Sequence, residues 1–276
     1  MVVFPNCKIN LGLNIISKRV DGYHNLETVF YPIGIKDALE ITKDIKQNPY
    51  YVNFSQSGLL IDGETLNNIC VKAYHLLKRN YPQLPSISMH LHKVIPMGAG
   101  LGGGSADGAF ALKLLSDLFH LPISTQELIE YSLQLGSDCP FFILNKPCFA
   151  TGRGEVMNEI ELDLSAYKFV IVNPDIHINT AWAFSKITPQ RPTKFIIDII
   201  KQPISTWKDT LVNDFEVPAQ FLHPEIGSIK EELYNLGAVY SSMTGTGSTV
   251  FGIFEKNNKV KLNFPENYFT SIIDNG

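Results

Sequence analysis

The stretch that most constrains this chain is Pro96-Met97-Gly98-Ala99-Gly100-Leu101-Gly102-Gly103-Gly104-Ser105-Ala106-Asp107. Five of its twelve residues are glycine and none is basic. An alternating segment, Ile87 to Ile95, leads in and reads as a strand. Ala111, Leu114, Leu115, Leu118 and Phe119 follow at the i, i+3, i+4, i+7, i+8 spacing of one helix face. The pattern is strand, glycine loop, helix N-terminus. Glycines let the backbone turn sharply and let a ligand approach N–H groups closely. A helix N-terminus adds unsatisfied donors and partial positive charge, which favour an anion such as phosphate. The loop is therefore expected to hold the phosphates of a nucleotide.

Three kinds of nucleotide loop are worth comparing. A Walker A loop ends in Gly-Lys-Ser/Thr, and Gly103-Gly104-Ser105 has no lysine. Gly98, Gly100 and Gly103 satisfy G-x-G-x-x-G, but a dinucleotide fold needs a strand after the helix. Here Ser124, followed by Glu127 at capping-box spacing, starts a second helix to about Leu135, with Gly136 at its end. A protein-kinase loop requires H-R-D and D-F-G motifs downstream, and neither is present.

The other informative stretches lie far from the loop. Residues 7–16 alternate, with Ile9, Leu11, Leu13 and Ile15 on one face and Lys8, Asn10, Gly12 and Asn14 on the other. Taken alone, Lys8 reads as a solvated strand lysine. Asp21-Gly22 signals a turn that carries Tyr23 and His24. Extended runs are expected over 27–41 and 50–61, the latter closed by Asp62-Gly63. Asn67 or Asn68 can cap a helix to about Lys78. Gly136-Ser137-Asp138-Cys139-Pro140 places an acid on a rigid turn before an apolar run. A hairpin edge is expected over 149–154, a strand over 168–172, and a helix from Asn179 or Thr180. Further helices are expected over 193–201, 205–212 and 225–236. Residues 240–254 read as a small polar loop feeding an apolar strand.

Composition narrows the class. The 276 residues suit one large or two ordinary domains. A net charge of −4 without a Lys/Arg cluster gives no nucleic-acid signal. No apolar run is long enough to span a membrane, and the N-terminus lacks a signal-type core, so a cytoplasmic protein is expected. Cys7, Cys70, Cys139 and Cys148 form no C-x-x-C pair and read as reduced, buried thiols.

Pro-x-Gly-x-Gly-Leu-Gly-Gly-Gly-Ser resembles the phosphate loop of the GHMP kinases. Lys8-Ile9-Asn10-Leu11 resembles that family's first motif, and Met243-Thr244-Gly245-Thr246-Gly247-Ser248 its third. Asp21-Gly22-Tyr23-His24, Gly136 to Phe142, and Asn213-Asp214-Phe215-Glu216 with Pro218 resemble the members whose acceptor is a cytidine-diphosphate-linked methylerythritol. The resemblance implies an α+β fold of two lobes, residues 1–156 and 157–276. The N-terminal lobe would be like domain 2 of ribosomal protein S5 and the C-terminal lobe ferredoxin-like, with the active site in the cleft between them. It implies transfer of the ATP γ-phosphoryl to the 2-hydroxyl of the methylerythritol unit, with Mg²⁺ bound mainly through the nucleotide phosphates and no dedicated protein metal site. Asp138 is then the expected base and Lys8 its cationic partner. ATP would be held by Pro96, Gly98, Gly100, Leu101, Gly102, Gly103, Gly104 and Ser105, with Asn68 near adenine. Tyr23 and Phe184 would clamp the cytosine and His24 read its edge, while Asn10 and Thr180 face the substrate. Thr244, Gly245, Thr246 and Gly247 form the third motif.

Two departures from the family pattern stand out. Ala99 replaces a usual glycine. Ala106-Asp107 replaces a usual Ser-Asn, so Asp107 is expected to point toward ribose or adenine, away from the phosphates. The alternatives are a GHMP kinase acting on homoserine or phosphomevalonate, and a non-catalytic nucleotide- or sugar-binding regulator. A small-molecule substrate is expected, without nucleic-acid or membrane partners, and the sequence is silent on oligomeric state.

Overall fold

The computed structural model describes residues 1–44, 52–61 and 63–274. Five strands come first: β1 (Val2–Val3), β2 (Asn6–Lys18), β3 (His24–Lys36), β4 (Ala38–Lys43) and β5 (Val52–Gly58). Then follow α1 (Ile69–Asn80), β6 (Ile87–Lys93), α2 (Gly103–Leu118), α3 (Thr125–Leu135) and α4 (Cys139–Leu144). The chain continues through β7 (Cys148–Thr151), β8 (Val156–Glu159), β9 (Tyr167–Asn173), α5 (Thr180–Ser185) and α6 (Ile196–Ile199). It ends with α7 (Glu216–Leu222), α8 (Pro224–Asn235), β10 (Tyr240–Met243), β11 (Val250–Glu255) and β12 (Phe269–Asp274). Of the strand expected over 50–61, residues 50 and 51 lie outside the described residues, as does Asp62.

Packing divides the chain into two compact units that interleave in sequence. One comprises Met1–Cys7, Ile35–Met97 and Gly102–Asn145; the other comprises Lys8–Gly34, Gly98–Leu101 and Lys146–Gly276. The expected division at 156/157 is a different one. β2 and β3 join β7 and β8 in one sheet, and Lys8–Gly34 falls in the same unit as Lys146–Gly276.

The first unit lays α1 and α2 on a sheet of order β1-β4-β6-β5. β5 runs parallel to β6, and the other pairs are antiparallel. Leu39, Ile41, Ile87, Met89 and Leu91 are buried with Tyr74, Leu77, Leu112 and Leu115 of the helices. The local chemistry follows the sequence closely here. Asn68 caps α1 by accepting from the Cys70 N–H at 2.9 Å. Ser124 and Glu127 close a reciprocal capping box on α3.

The second unit holds two sheets, β2-β3-β7-β8 and β10-β11-β9-β12. Tyr31 of one stacks on Phe169 of the other at 5.7 Å. Leu13, Ile15, Val170, Val172, Ile229, Leu233 and Phe254 share one core. The helix expected over 205–212 is instead a short 3₁₀ turn, Ile204–Thr206, followed by turns. α7 and β12 had no clear sequence signal. Pro218 sits in the first turn of α7, where a missing N–H costs no intrahelical bond. β12 pairs with β9 and alternates between half-buried and exposed residues.

Candidate functional site

β2 was expected to be apolar on one face and solvated on the other. Both faces are buried. Lys8 is 3% exposed and Asn10 2% exposed. Burying an ammonium is tolerable only when its donors are used, and Lys8 Nζ donates to Asn10 Oδ1 at 2.6 Å and to the Gly100 carbonyl at 2.9 Å. It also lies 5.3 Å from the centre of the Phe30 ring. Asn10 Oδ1 accepts from the Thr244 hydroxyl as well (3.1 Å), and its Nδ2 donates to Thr28 (3.0 Å). The structure therefore sets Asn10 inside a polar node.

The same node takes in the glycine loop and the third motif. Gly98, Gly100 and Gly102 all have φ between +63° and +79°. The Gly100 carbonyl accepts from the Thr244 hydroxyl at 3.1 Å, and the Lys8 N–H donates to the Leu101 carbonyl at 2.9 Å. A Cβ on Gly100 would lie 2.1 Å from the Thr244 carbonyl oxygen, so only glycine fits. Ala99 is accommodated because its φ is not among the positive ones. Asn213 braces the third motif by donating to the carbonyls of Met243 (2.8 Å) and Gly245 (2.9 Å). Glu216 accepts from the Met243 N–H (2.6 Å) and the Ser242 hydroxyl (2.8 Å), and Lys230 pairs with its other oxygen at 2.6 Å. Thr246 and Gly247 complete the turn into β11, and the Gly247 N–H donates to the Thr244 carbonyl at 3.1 Å.

In the first unit, Gly102 caps α2 with no side chain, so the first-turn N–H groups have no side-chain partner. Asn68, Thr65, Met97, Gly104, Ser105 and Asp107 help to line a cleft of about 510 Å³. Gly103 packs on Ile95, and Pro96 is half-buried in the connection between β6 and α2. The Ser105 hydroxyl bonds to the Cys139 thiol, whose pKa burial pushes up to about 12. Asp138 is half-buried on the turn ahead of α4, and its side chain does not cap that helix.

Asp107 is placed unexpectedly. It is 1% exposed, and its Oδ2 accepts from Lys93 Nζ at 2.7 Å. Lys93 also donates to Asp37 Oδ2 at 2.5 Å, while Asp37 Oδ1 accepts the N–H groups of Val94 (2.6 Å) and Ile95 (2.9 Å). Asp107 Oδ1 has no protein partner. One ammonium does not neutralise two carboxylates. Burial pushes Asp107 up, Asp37 adds to this against the pull of Lys93, and its pKa reaches about 8. For Lys93 the two carboxylates outweigh burial and hold its pKa above the usual value.

Tyr23, His24 and Phe184 lie in the second unit. Tyr23 is 56% exposed on its turn. His24 stacks on Phe184 at 5.0 Å with a 20° interplanar angle, and Phe184 meets Phe215 edge-on at 4.9 Å. One face of the Phe184 ring is thus stacked on His24. Burial, with Lys18 adding to it, lowers the His24 pKa and keeps its ring neutral. Thr180 is exposed at the start of α5, which Asn179 caps.

The model of the GHMP kinases N terminal domain matches residues 68–146, and that of the GHMP kinases C terminal matches residues 199–268. The chain belongs to the GHMP kinases. It is 52% identical to the 4-diphosphocytidyl-2-C-methyl-D-erythritol kinase of Bacteroides fragilis over 96% of each chain. A crystal structure of 4-(cytidine 5'-diphospho)-2C-methyl-D-erythritol kinase superposes with a TM-score of 0.79 at 28% identity, covering 92% of this chain and 90% of that one. Mevalonate kinase from Methanococcus jannaschii shares the fold, with a TM-score of 0.69 at 14% identity over 99% and 98% of the two chains.

In this GHMP kinase several residues that shape the site carried no readable motif. Asp37 and Lys93 sit at strand ends with no motif around them, and Asp37 is 70 positions from Asp107. Only the Asn213 to Glu216 stretch drew notice, and its bracing role appears only with the partners in place.

The Asp107 environment has a consequence for stability. An unfolded Asp titrates near 3.9, while in the folded chain burial, with Asp37 beside it, holds the Asp107 carboxyl well above that. The native state therefore binds the extra proton, and this stabilisation is lost as pH rises from the unfolded value through the folded one. Relative to Asp107→Asn, the wild type is expected to lose stability as pH rises from about 5.5 to 7.5. Urea unfolding of both proteins across that range measures this, and parallel stability curves would contradict it.

Proposed function

We propose that this GHMP kinase transfers the γ-phosphoryl group of ATP to the 2-hydroxyl of 4-diphosphocytidyl-2-C-methyl-D-erythritol. The observation that carries the reading is the 52% identity, over 96% of each chain, to a kinase so named. The homoserine, phosphomevalonate and non-catalytic alternatives are not favoured by such a relative. Four buried, unbridged cysteines suit the reducing cytoplasm where we place it.

The residues divide the work by their chemistry. Backbone N–H groups from Gly100 to Ser105 and the uncapped start of α2 bind the ATP phosphates. The cleft beside Asn68, Ser105 and Asp107 takes the nucleoside end. Among the described residues no group of three or more His, Cys, Asp or Glu is arranged to hold a metal ion. Two buried carboxyl groups of the first unit, Asp37 and Asp107, are engaged by Lys93. That donor set fits Mg²⁺ carried on the nucleotide phosphates, with the Ser105 hydroxyl as a protein contact. When bound, the ion offsets negative charge on the β- and γ-phosphates.

A tertiary alcohol is a poor nucleophile. Asp138 takes its proton as the new O–P bond forms, the bond from the γ-phosphorus to the bridging oxygen breaks, and ADP leaves. Lys8 stabilises the developing alkoxide. Tyr23, His24, Phe184 and Thr180 hold the cytidine end of the acceptor, with the neutral His24 ring able both to donate and to accept.

Incubation with Mg-ATP and 4-diphosphocytidyl-2-C-methyl-D-erythritol is expected to release ADP and a 2-phosphate. Absence of that turnover together with phosphorylation of homoserine would overturn the reading. Asp138→Asn is expected to lower kcat by about 10³-fold or more while ATP binding, followed by titration calorimetry, survives. Near-wild-type turnover in that variant would remove Asp138 from the base role.

A further inference from the structure

An exposed aromatic ring on a tight turn is a poor platform for a base unless something holds it, because each immobilised side chain charges its lost freedom against binding. Tyr23 is such a ring, and the structure shows two separate restraints on it. Its backbone is fixed from the β2–β3 turn. Asp21 Oδ1 accepts the Tyr23 N–H at 3.1 Å. Arg19 Nε donates to both Asp21 oxygens at 3.2 and 3.0 Å, and Arg19 Nη1 donates to Asn25 Oδ1 at 3.1 Å. Asn25 in turn donates to Ser17 at 3.0 Å.

The ring is held from a different hairpin. The guanidinium carbon of Arg153 lies 4.8 Å from the Tyr23 ring centre. Arg153 sits at the β7–β8 tip between Gly152 (φ +70°) and Gly154 (φ +107°), conformations that favour glycine and aim the residue between them. Glu155 fixes it: Oε2 accepts the Arg153 backbone N–H at 2.5 Å, and Oε1 accepts from Nε at 3.4 Å. The Gly152 carbonyl accepts the Leu26 N–H at 2.7 Å, which ties the tip to β3. A planar cation on an aromatic face is attracted by the ring quadrupole and restricts its rotation. Tyr23 still exposes more than half its surface.

We propose that Arg153 is a positioning residue that holds the Tyr23 ring in place as a preformed stacking face for the cytosine base. This rests on the cytidine-linked acceptor of the proposed function and extends it to a residue outside the Tyr23-His24 motif. Arg153 acts through Tyr23, and Glu155 sets the angle of its guanidinium. The Arg19–Asp21 pair holds the turn backbone, so the two hairpins together build one rigid wall of the base site.

The test uses the full chain and cytidine 5'-diphosphate as the probe, in a double-mutant cycle of Arg153→Ala, Tyr23→Ala and the pair. Arg153→Ala is expected to weaken binding of the probe by about 5–10-fold and to raise KM for the cytidine-linked acceptor by a similar factor, with kcat and KM for ATP unchanged. In the Tyr23→Ala background the Arg153 change is expected to have no further effect. Arg153→Lys, which keeps a cation over the ring, is expected to recover part of the loss. In the unliganded protein, ¹³C-labelled tyrosine is expected to report a more mobile Tyr23 ring in Arg153→Ala. Effects that multiply across the cycle mean direct contact with the diphosphate and overturn the inference, as does unchanged affinity in Arg153→Ala. A wild type that binds no cytidine 5'-diphosphate sinks the acceptor assignment itself, and that outcome is distinct from a wild type that binds it no better than Arg153→Ala.

Discussion

One carbonyl oxygen, that of Gly100, ties together the strand of Lys8, the glycine loop and the turn at Thr244 in the second unit. It accepts from the Lys8 ammonium and from the Thr244 hydroxyl. Those donors come from the N-terminal Lys8-Ile9-Asn10-Leu11 stretch and the glycine-rich stretch at Thr244, more than two hundred residues apart in sequence. Lys8 also reaches Asn10, and Asn10 reaches Thr244 and Thr28, so no member of the node is free to move alone. Such a network is worth having only when complete, because a buried donor or acceptor left unpaired costs its full desolvation penalty. Asn213 and Glu216 complete it at one remove by pinning the backbone of the third motif.

The first unit is arranged around a second buried charge cluster. Asp37, Lys93 and Asp107 join the end of β6 to the first turns of α2. Removing Lys93 would leave both buried carboxyl groups without their cation, a loss that typically costs about 3–5 kcal/mol. The cluster also answers the question raised by an acid so close to a phosphate loop. Lys93 neutralises part of the charge, burial favours the protonated carboxyl, and the repulsion an ionised Asp107 would impose on a triphosphate is reduced.

Much of the local structure was legible in the sequence, and the reason is that local signals are self-contained. The caps at Asn68 and Ser124, the turn at Asp21-Gly22 and the helix after the glycine loop each depend on a few neighbouring residues. Pairings across the chain were not legible. Lys8 alternates with apolar residues as a solvated lysine would, and its contacts with Gly100 and Asn10, distant or unmarked in the pattern, help to explain why it is buried. Phe184 sits at a helical core position and does pack on the core, yet it also stacks on His24, which no periodicity encodes. Arg153 lies between two glycines that read as a simple turn, and its contact with Tyr23 joins hairpins 130 positions apart. The interleaved units escaped a linear reading for the same reason: β3 finds its partner in β7.

The account stands on the glycine loop being a phosphate cradle whose shape is set through Gly100. ATP binding to Gly100→Ala, measured by titration calorimetry on protein shown to unfold cooperatively, tests this most directly. A Cβ at that position meets the Thr244 carbonyl at 2.1 Å, so the loop must shift and affinity is expected to fall by about 100-fold or more. A folded Gly100→Ala protein that binds ATP as tightly as the wild type would contradict the account.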